Sequence, residues 1–246
     1  MIVSGRLAPT VRALAVLTAV CSLVSASAAS TPPVVVLDPG HDLHANLATE
    51  AIGPGSRTRK IKDGGGARGV VTRTPEAVVN LAISLRTAAL LRRAGVRVVL
   101  TRTRTAGVSM GNIARAGIAN RAHAALFLRV HADGSPNHAT RGTSALYPAF
   151  RRGWTDDIAR PSRRAAGLVL AELVRALGSR DRGLQRRSDL TGFNWADVPA
   201  ILVEVAYLSN PAEDRLLASP AHQQRAALGI CRGTLRFLGR PPRLCQ

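Results

Sequence analysis

Two histidines and a glutamate occur at or near the ends of apolar segments that the sequence predicts to be strands. His41 follows the segment VVVLDPG, His131 follows ALFLRV, and Glu204 lies within AILVEVAY. Imidazoles and carboxylates are the groups that bind metals and transfer protons in proteins. Because ligands bind beyond the carboxyl ends of the strands in open parallel sheets, we expect these three side chains at one edge of a sheet.

Glu76 is a fourth candidate, at the second position of a helix that we predict to begin near Thr74 with Pro75 at its first position. Helices that follow parallel strands begin at the same sheet edge, so Glu76 can join the cluster. Each residue also has a simpler explanation, since a histidine after a strand often bonds only to backbone and a glutamate in a first helical turn favours the helix dipole. Glu204 differs, because burying an unpaired carboxylate in an apolar strand costs free energy. Such a residue is expected to have a binding partner or a catalytic role.

Two histidines, one carboxylate and a water match a catalytic zinc site, in which three protein ligands leave one position open. A further carboxylate can take the proton of the attacking water without binding the metal. A competing nucleophile is not evident in the sequence, which has no G-x-S-x-G motif and no cysteine near a strand end beyond the N-terminal segment. The pattern therefore predicts a zinc-dependent hydrolase.

The elements that must position this cluster alternate along the chain. This alternation predicts a single α/β domain with a mostly parallel, twisted sheet of about six strands and helices on both faces. The predicted strands are Val34–Asp38, Val96–Thr101, Ala125–Val130, Thr143–Tyr147 and Ala200–Ala206. The predicted helices are Thr74–Gly95, Ser109–Ala122, Ser162–Leu177 and Ser219–Leu238.

The N-terminus has the layout of a secretory signal peptide, with basic residues, a 12-residue apolar run over 13–24 and a small-residue stretch, SASAAS. We expect residues 1–30 to be this signal, the alternative being an uncleaved anchor. Residues 31–240 would then form the catalytic domain, with a long irregular insertion at 44–69, and residues 241–246 a tail. We expect no transmembrane segment in the mature chain.

Export bears on the cysteines and on the charge. Cys21 would leave with the signal, so that Cys231 and Cys245 are expected to form one disulfide; the alternative is two unpaired thiols. The net charge is +19, and removal of Arg6 and Arg12 lowers it by two, to +17. Such a charge indicates that the protein works close to a polyanion. For an exported protein, an anionic cell envelope fits this role better than nucleic acid does.

At these residues the sequence resembles the zinc-dependent N-acetylmuramoyl-L-alanine amidases of the type-3 amidase superfamily, in particular mycobacterial-type single-domain members. The resemblance runs from about Val34 to Phe237 and rests on the segments LDPGH, TPEAVVNLAISL, VRVVLTR, NIARAGIANRAHAALFLRVHAD and VPAILVEVAYLSNPAED. It implies one Zn²⁺ held by His41, Glu76 and His131, with Glu204 as the catalytic base. The implied reaction is cleavage of peptidoglycan between N-acetylmuramic acid and the L-alanine of the stem peptide.

The sequence departs from the family pattern at several positions. The family often has Gly-Gly after DPGH, where this chain has Asp42-Leu43, and usually has Ser and Asn where this chain has Arg129 and Asp133. We expect hydrolysis to survive these changes and substrate preference to differ, with Asp133 and Asn80 as candidate substrate contacts.

The expected partners are peptidoglycan or muramyl peptides and, by charge, anionic envelope polymers, but not nucleic acid. We expect a monomer located in the periplasm, the cell wall or the medium. Two other functions stay open: a zinc peptidase or deacetylase acting on another amide, and a non-catalytic wall-binding regulator with the same fold.

Overall fold

Six strands form the main sheet in the computed structural model, which describes residues 1–2, 4–5 and 31–246. The strands found there are β1 (Val34–Pro39), β2 (Asn46–Ala51), β3 (Arg59–Asp63), β4 (Arg97–Leu100), β5 (Leu126–Asp133), β6 (Thr143–Pro148), β7 (Asp181–Arg187) and β8 (Ala200–Tyr207). The helices are α1 (Glu76–Arg93), α2 (Asn112–Arg121), α3 (Ala159–Leu177), α4 (Thr191–Asn194), α5 (Pro211–Ala218) and α6 (Pro220–Phe237), followed by a 3-10 turn at Pro242–Leu244.

The sheet has the order β4-β1-β5-β8-β6-β7. Strands β4, β1, β5 and β8 are parallel, whereas β6 runs antiparallel to β8 and β7 parallel to β6. The prediction of a mostly parallel sheet of about six strands is therefore confirmed. The four parallel strands all end at one edge of the sheet, which is where the candidate residues lie.

Helices cover both faces of this sheet, as predicted. Alternate residues of β1 separate the two faces: Val35 and Leu37 pack in a core with α1, α3 and α6, and Val36 packs with α2 and α4. The strands are apolar on both faces because each face is covered, which explains their near-continuous hydrophobic runs.

The insertion at 44–69 contains an antiparallel hairpin formed by β2 and β3. Glu50 of β2 is buried and accepts hydrogen bonds from the backbone N–H groups of Asn112 (2.7 Å) and Ile113 (3.2 Å). These are free donors at the start of α2, so the hairpin caps that helix. The hairpin is thereby fixed beside the sheet edge.

Two helices begin three residues from their predicted starts, α3 at Ala159 and not at Ser162, and α2 at Asn112 and not at Ser109. Ser109 has a left-handed backbone (φ 42°) and Gly111 occupies the cap position of α2. Helix α5 was not predicted; Asn210 caps it by accepting from Ala212 and Glu213 N–H groups. Residues 211–218 are thus a helix that the Asn-Pro pair initiates.

The C-terminal tail is tied to α6 by a disulfide between Cys231 and Cys245, as expected. The expected signal peptide at 1–30 falls almost wholly outside the described residues. Within the described part of the chain, no helix combines the length and the apolar character needed to cross a membrane.

Candidate metal centre and cleft

The ends of β1 and β5 and the start of α1 bring His41, Glu76 and His131 together. One possible ligand atom from each lies within 4.8 Å of the others. The Glu76 Oε1 atom is central, at 3.5 Å from His41 Nε2 and 3.0 Å from His131 Nδ1. The sequence-predicted ligand residues therefore meet, although they span 90 residues of chain.

His41 follows Gly40 at the end of β1 and adopts a left-handed backbone (φ 60°), which few residues other than glycine do. Its Nδ1 lies 2.5 Å from Asp63 Oδ1, so the ring donates to this carboxylate and points Nε2 toward Glu76. Burial favours the neutral ring, but the hydrogen bond to Asp63 and the charges of Glu76 and Asp63 raise the pKa of His41. A carboxylate behind a histidine in this way orients it as a metal ligand.

Glu76 is held as an anion by several donors. Its Oε2 accepts from the Ala67 N–H (2.7 Å), and its Oε1 accepts from Asn80 Nδ2 (3.1 Å) and the Ala132 N–H (3.2 Å). Burial opposes ionisation, but the hydrogen bond from His131 and the histidine charges lower the pKa of Glu76 to about 2. The carboxylate is therefore charged and fixed at neutral pH.

His131 is buried, as Glu76 is, whereas His41 is half-buried. Burial lowers its pKa to about 4, so the ring is neutral at physiological pH, as a metal ligand must be. Its ring lies so close to Gly40 that a Cβ there would be 2.2 Å from His131 Cε1. Gly40 thus provides the space in which the imidazole sits.

Glu204 stands beside His131 on the neighbouring parallel strand, where the two residues are register partners. Burial raises the pKa of Glu204 well above its usual range, and the charges of Glu76 and Asp133 raise it further. Its Oε2 is buried and has no hydrogen-bond partner in the described residues. Such a carboxyl is a candidate for proton transfer.

The donor set fits a zinc ion. Tetrahedral zinc with bonds of about 2.0–2.2 Å requires ligand atoms about 3.3–3.6 Å apart, close to the 3.0 and 3.5 Å spacings around Glu76 Oε1. Two imidazoles, one carboxylate and a nearby acid–base group leave room for water and substrate.

A cleft of about 260 Å³ opens from this cluster across the sheet face. Its floor includes Arg129, His131 and Glu204, and one wall is formed by the hairpin. The hairpin reaches the opposite wall through Lys60, whose Nζ donates to the carbonyl oxygen of Asp189 at 2.8 Å. The insertion is thus part of the site, not a peripheral loop.

One of the sequence expectations changes in the structure. Asn80 is fully buried and donates to Glu76 and to the Gly40 carbonyl, so it positions Glu76 and does not reach substrate. Asp38 of β1 bonds Arg115 and Arg129. Asp133 is half-buried beyond His131 and is absent from the lining of the cleft.

The residue that sequence reasoning missed is Asp63. It lies at the end of β3, followed by three glycines, in a segment without hydrophobic periodicity. Its only sequence signal is an acidic residue at the end of a basic stretch, which does not connect it to His41 22 positions earlier.

Residues 35–236 match the family described as N-acetylmuramoyl-L-alanine amidase (Amidase_3). The N-acetylmuramoyl-L-alanine amidase Rv3717 of Mycobacterium tuberculosis is 33% identical over 244 residues, which cover 91% of this chain and 95% of that protein.

Solved structures are similar to this fold as well. The crystal structure of the N-acetylmuramyl-L-alanine amidase Ami1 from Mycobacterium smegmatis has a TM-score of 0.76 at 29% identity, covering 84% of this chain and 97% of that one. The catalytic domain of the amidase CwlV from Bacillus (Paenibacillus) polymyxa has a TM-score of 0.67 at 28% identity, covering 84% and 98%.

Proposed function

The chain belongs to the N-acetylmuramoyl-L-alanine amidase family, an enzyme family that acts on peptidoglycan, and we propose that it is a zinc-dependent member in which Glu204 is the catalytic base. The reaction is hydrolysis of the amide between N-acetylmuramic acid and the L-alanine of the stem peptide. The zinc ligands in this proposal are His41, Glu76 and His131.

One observation carries the proposal: Glu204, whose Oε2 is buried without a hydrogen-bond partner in the described residues, stands beside the His-Glu-His cluster on the adjacent strand. A regulator without catalytic activity has no need for Glu204 at this position, where its burial is costly. The ligand cluster and the acid–base group together match the parts required for metal-assisted amide hydrolysis.

When bound, zinc would supply a Lewis acid that polarises the amide carbonyl and lowers the pKa of the attacking water. Glu204 accepts a proton from that water at a carboxylate oxygen and returns it to the leaving nitrogen of L-alanine. Its raised pKa suits the second step, because the protonated form must persist long enough to be delivered. Asp63 and Asn80 keep His41 and Glu76 in place.

Location and substrate contacts belong to the same proposal. We place the mature enzyme outside the cytoplasmic membrane, bound to anionic wall polymers through its charge of +17. Binding to isolated walls is then expected to weaken as salt is raised, and salt-insensitive binding would refute it. Asp133 stays a prediction as a substrate contact, next to Glu204 but outside the cleft lining.

The test combines a zinc assay with the release of L-Ala-D-isoGln from muramyl dipeptide. The wild-type chain is expected to bind about one zinc and to release the dipeptide. The Glu204→Gln variant is expected to keep its zinc while kcat falls by about 10²–10⁴, the range typical of a lost general base.

Full activity of Glu204→Gln would refute the role of Glu204. Zinc binding without cleavage of muramyl dipeptide, combined with cleavage of ordinary peptides or N-acetyl groups, would favour the peptidase or deacetylase alternative. Glu172→Gln is the control, because Glu172 is a buried glutamate outside the cleft lining that pairs with Arg175 on α3 and Arg236 on α6.

A further inference from the structure

Beneath the metal ligands, the cleft floor holds two buried arginines that share one carboxylate. Arg115 Nη1 lies 2.5 Å from Asp38 Oδ1 and Arg129 Nε lies 2.7 Å from Asp38 Oδ2. The exposed fraction is 3% for the Arg115 side chain, 6% for that of Arg129 and 0% for that of Asp38. Two guanidinium groups and one carboxylate leave a positive charge that this cluster does not neutralise, and buried charge is costly unless it has a partner.

A third buried arginine, Arg102, adds to the excess of positive charge. The guanidinium of Arg102 donates to the backbone carbonyls of Pro39, Gly40, Ala77 and Arg104 and forms no salt bridge in the described part of the chain. Of the three carboxylates that line the cleft, Asp63 is engaged by His41 and Asp189 by Arg187, whereas Glu204 makes no salt bridge to either arginine in the described residues. The protein therefore maintains a local cationic floor.

Two guanidinium nitrogens of this pair, Arg129 Nη1 and Arg115 Nη2, make no hydrogen bond within the described residues. Arg115 Nη2 is buried without a hydrogen-bond partner among the described residues, and Arg115 and Arg129 both line the cleft. Arg129 uses Nη2 to donate to Asn112 Oδ1 at 2.7 Å. A Cβ at position 192 would lie 2.6 Å from Arg129 Nη1, so Gly192 provides the room for this guanidinium.

Arg129 also stands at a defined distance from the reacting bond. It precedes His131 by two residues on β5, so the two side chains project from the same face of the sheet. Two residues of strand span about 6.6 Å. A group bound by Arg129 therefore lies about that far from the metal centre.

The chemistry of the substrate identifies that group. The carboxyl of muramic acid is consumed in the scissile amide, and the remaining glycan groups near it are neutral. On the peptide side, the second residue of the stem can carry a free α-carboxylate, and two extended residues span roughly 7 Å. A guanidinium pair is suited to bind a carboxylate through two charge-assisted hydrogen bonds.

We propose that Arg129, supported by Arg115, forms a carboxylate subsite that makes the enzyme prefer stem peptides whose second residue has a free α-carboxylate over those in which it is amidated. This inference rests on the proposed amidase function.

The test compares muramyl dipeptide, which carries the amide, with its free-acid form. The wild-type enzyme is expected to show a kcat/KM at least about tenfold higher for the acid, the effect of one charge-assisted interaction. In Arg129→Ser this ratio is expected to fall to about one, chiefly through loss of activity on the acid. Arg121→Ser removes an exposed arginine at the end of α2 and is expected to keep the wild-type ratio.

Binding provides a second readout that does not depend on turnover. Calorimetric titration of the Glu204→Gln variant with the two product dipeptides is expected to favour the acid by a similar factor. Arg129→Lys keeps the charge but loses the fork of donors, so an intermediate ratio is expected, and it substitutes for Arg129→Ser if that variant does not fold.

Equal wild-type rates on acid and amide would overturn the subsite while leaving the amidase function intact. An unchanged ratio in both Arg129 variants would also overturn it. Cleavage of neither substrate would instead refute the proposed function.

Discussion

The two histidines of the candidate metal centre are held by different parts of the molecule. His131 lies inside the central sheet, between β1 and β8, where burial keeps its ring neutral. His41 lies at the rim and owes its orientation to Asp63, which the inserted hairpin supplies. One histidine is thus positioned by the sheet and the other depends on an insertion.

This difference separates a rigid half of the site from an adjustable one. The sheet half is fixed by the pairing of His131 with Glu204 on β8 and of the preceding Val130 with Pro39 on β1, so its geometry follows from the fold. The hairpin half depends on a few contacts, chiefly Asp63 with His41 and Glu50 with the start of α2. Changes in the hairpin can therefore alter metal affinity without altering the core.

The largest effect is expected where the two halves join. Glu76 contacts both histidines, so Glu76→Ala is expected to reduce zinc from about one per chain to nearly none and to abolish turnover. Metal analysis after gel filtration measures this. Glu172→Ala removes a buried carboxylate far from the site and is expected to keep the metal; wild-type zinc content in Glu76→Ala would contradict the assignment.

The second largest effect is expected at Asp63, through which the hairpin supports His41. Asp63→Asn keeps the shape of the side chain but weakens its support of His41, so zinc affinity is expected to fall about 10- to 100-fold. Competition with a chelator measures the affinity. Glu50→Gln weakens hairpin docking without touching His41 and is expected to have the smaller effect; the reverse order would mean that Asp63 acts only by fixing the hairpin.

A pH titration of the metal-free protein sharpens the comparison further. The pKa of His41 is raised by Asp63, whereas burial lowers that of His131 to about 4. The contribution of His41 to stability is therefore complete below its unfolded pKa, about 6.5, and is lost as the pH rises through its folded pKa. The contribution of His131 to stability is present above the pKa of a histidine in the unfolded chain. It is lost as the pH falls through the pKa of His131 in the folded protein.

NMR of the imidazole nitrogens is expected to show these two titrations separately. In Asp63→Asn the His41 pKa is expected to fall while that of His131 stays near its wild-type value. Equal pKa values for the two rings in the wild-type protein would show that the sheet and the hairpin provide the same environment.

The smallest effect is expected at the outer contact of the hairpin. Lys60 and Asp189 have side chains 42% and 44% exposed and lie 3.4 Å apart, so Lys60→Ala is expected to change the free energy of unfolding by less than about 1 kcal/mol. Urea denaturation measures it. A loss above about 2 kcal/mol would show that this contact, and not Glu50, fixes the hairpin.

The elements that could be predicted from the sequence are those that bury apolar residues at a regular period. The five predicted strands and four predicted helices are all present, since the strands are continuous apolar runs and helix ends have Pro or Gly signals. The edge strand β7 was missed because its sequence, DRGLQRR, is polar and half exposed. The hairpin strands were missed for the same reason.

The same difference applies to the candidate site: residues on regular elements could be predicted, and those on irregular segments could not. His41, His131 and Glu204 could be placed at one edge because parallel strands carry them there, and Glu76 because α1 begins beside them. The role of Asp63 could not be predicted, since its contact with His41 depends on how an irregular segment folds back. Asn80 was expected to reach substrate, but the sequence does not show which face of α1 is turned toward Gly40.

The pairing of His131 with Glu204 across β5 and β8 has a consequence for engineering. The interval between a metal ligand and the acid–base group is set by the hydrogen-bonded backbone of two adjacent parallel strands, about 4.8 Å apart. No loop participates in that spacing. The loop between β7 and α4 can therefore be exchanged or shortened to admit other amides while His131 and Glu204 keep their separation, whereas a changed hairpin must keep Asp63 beside His41.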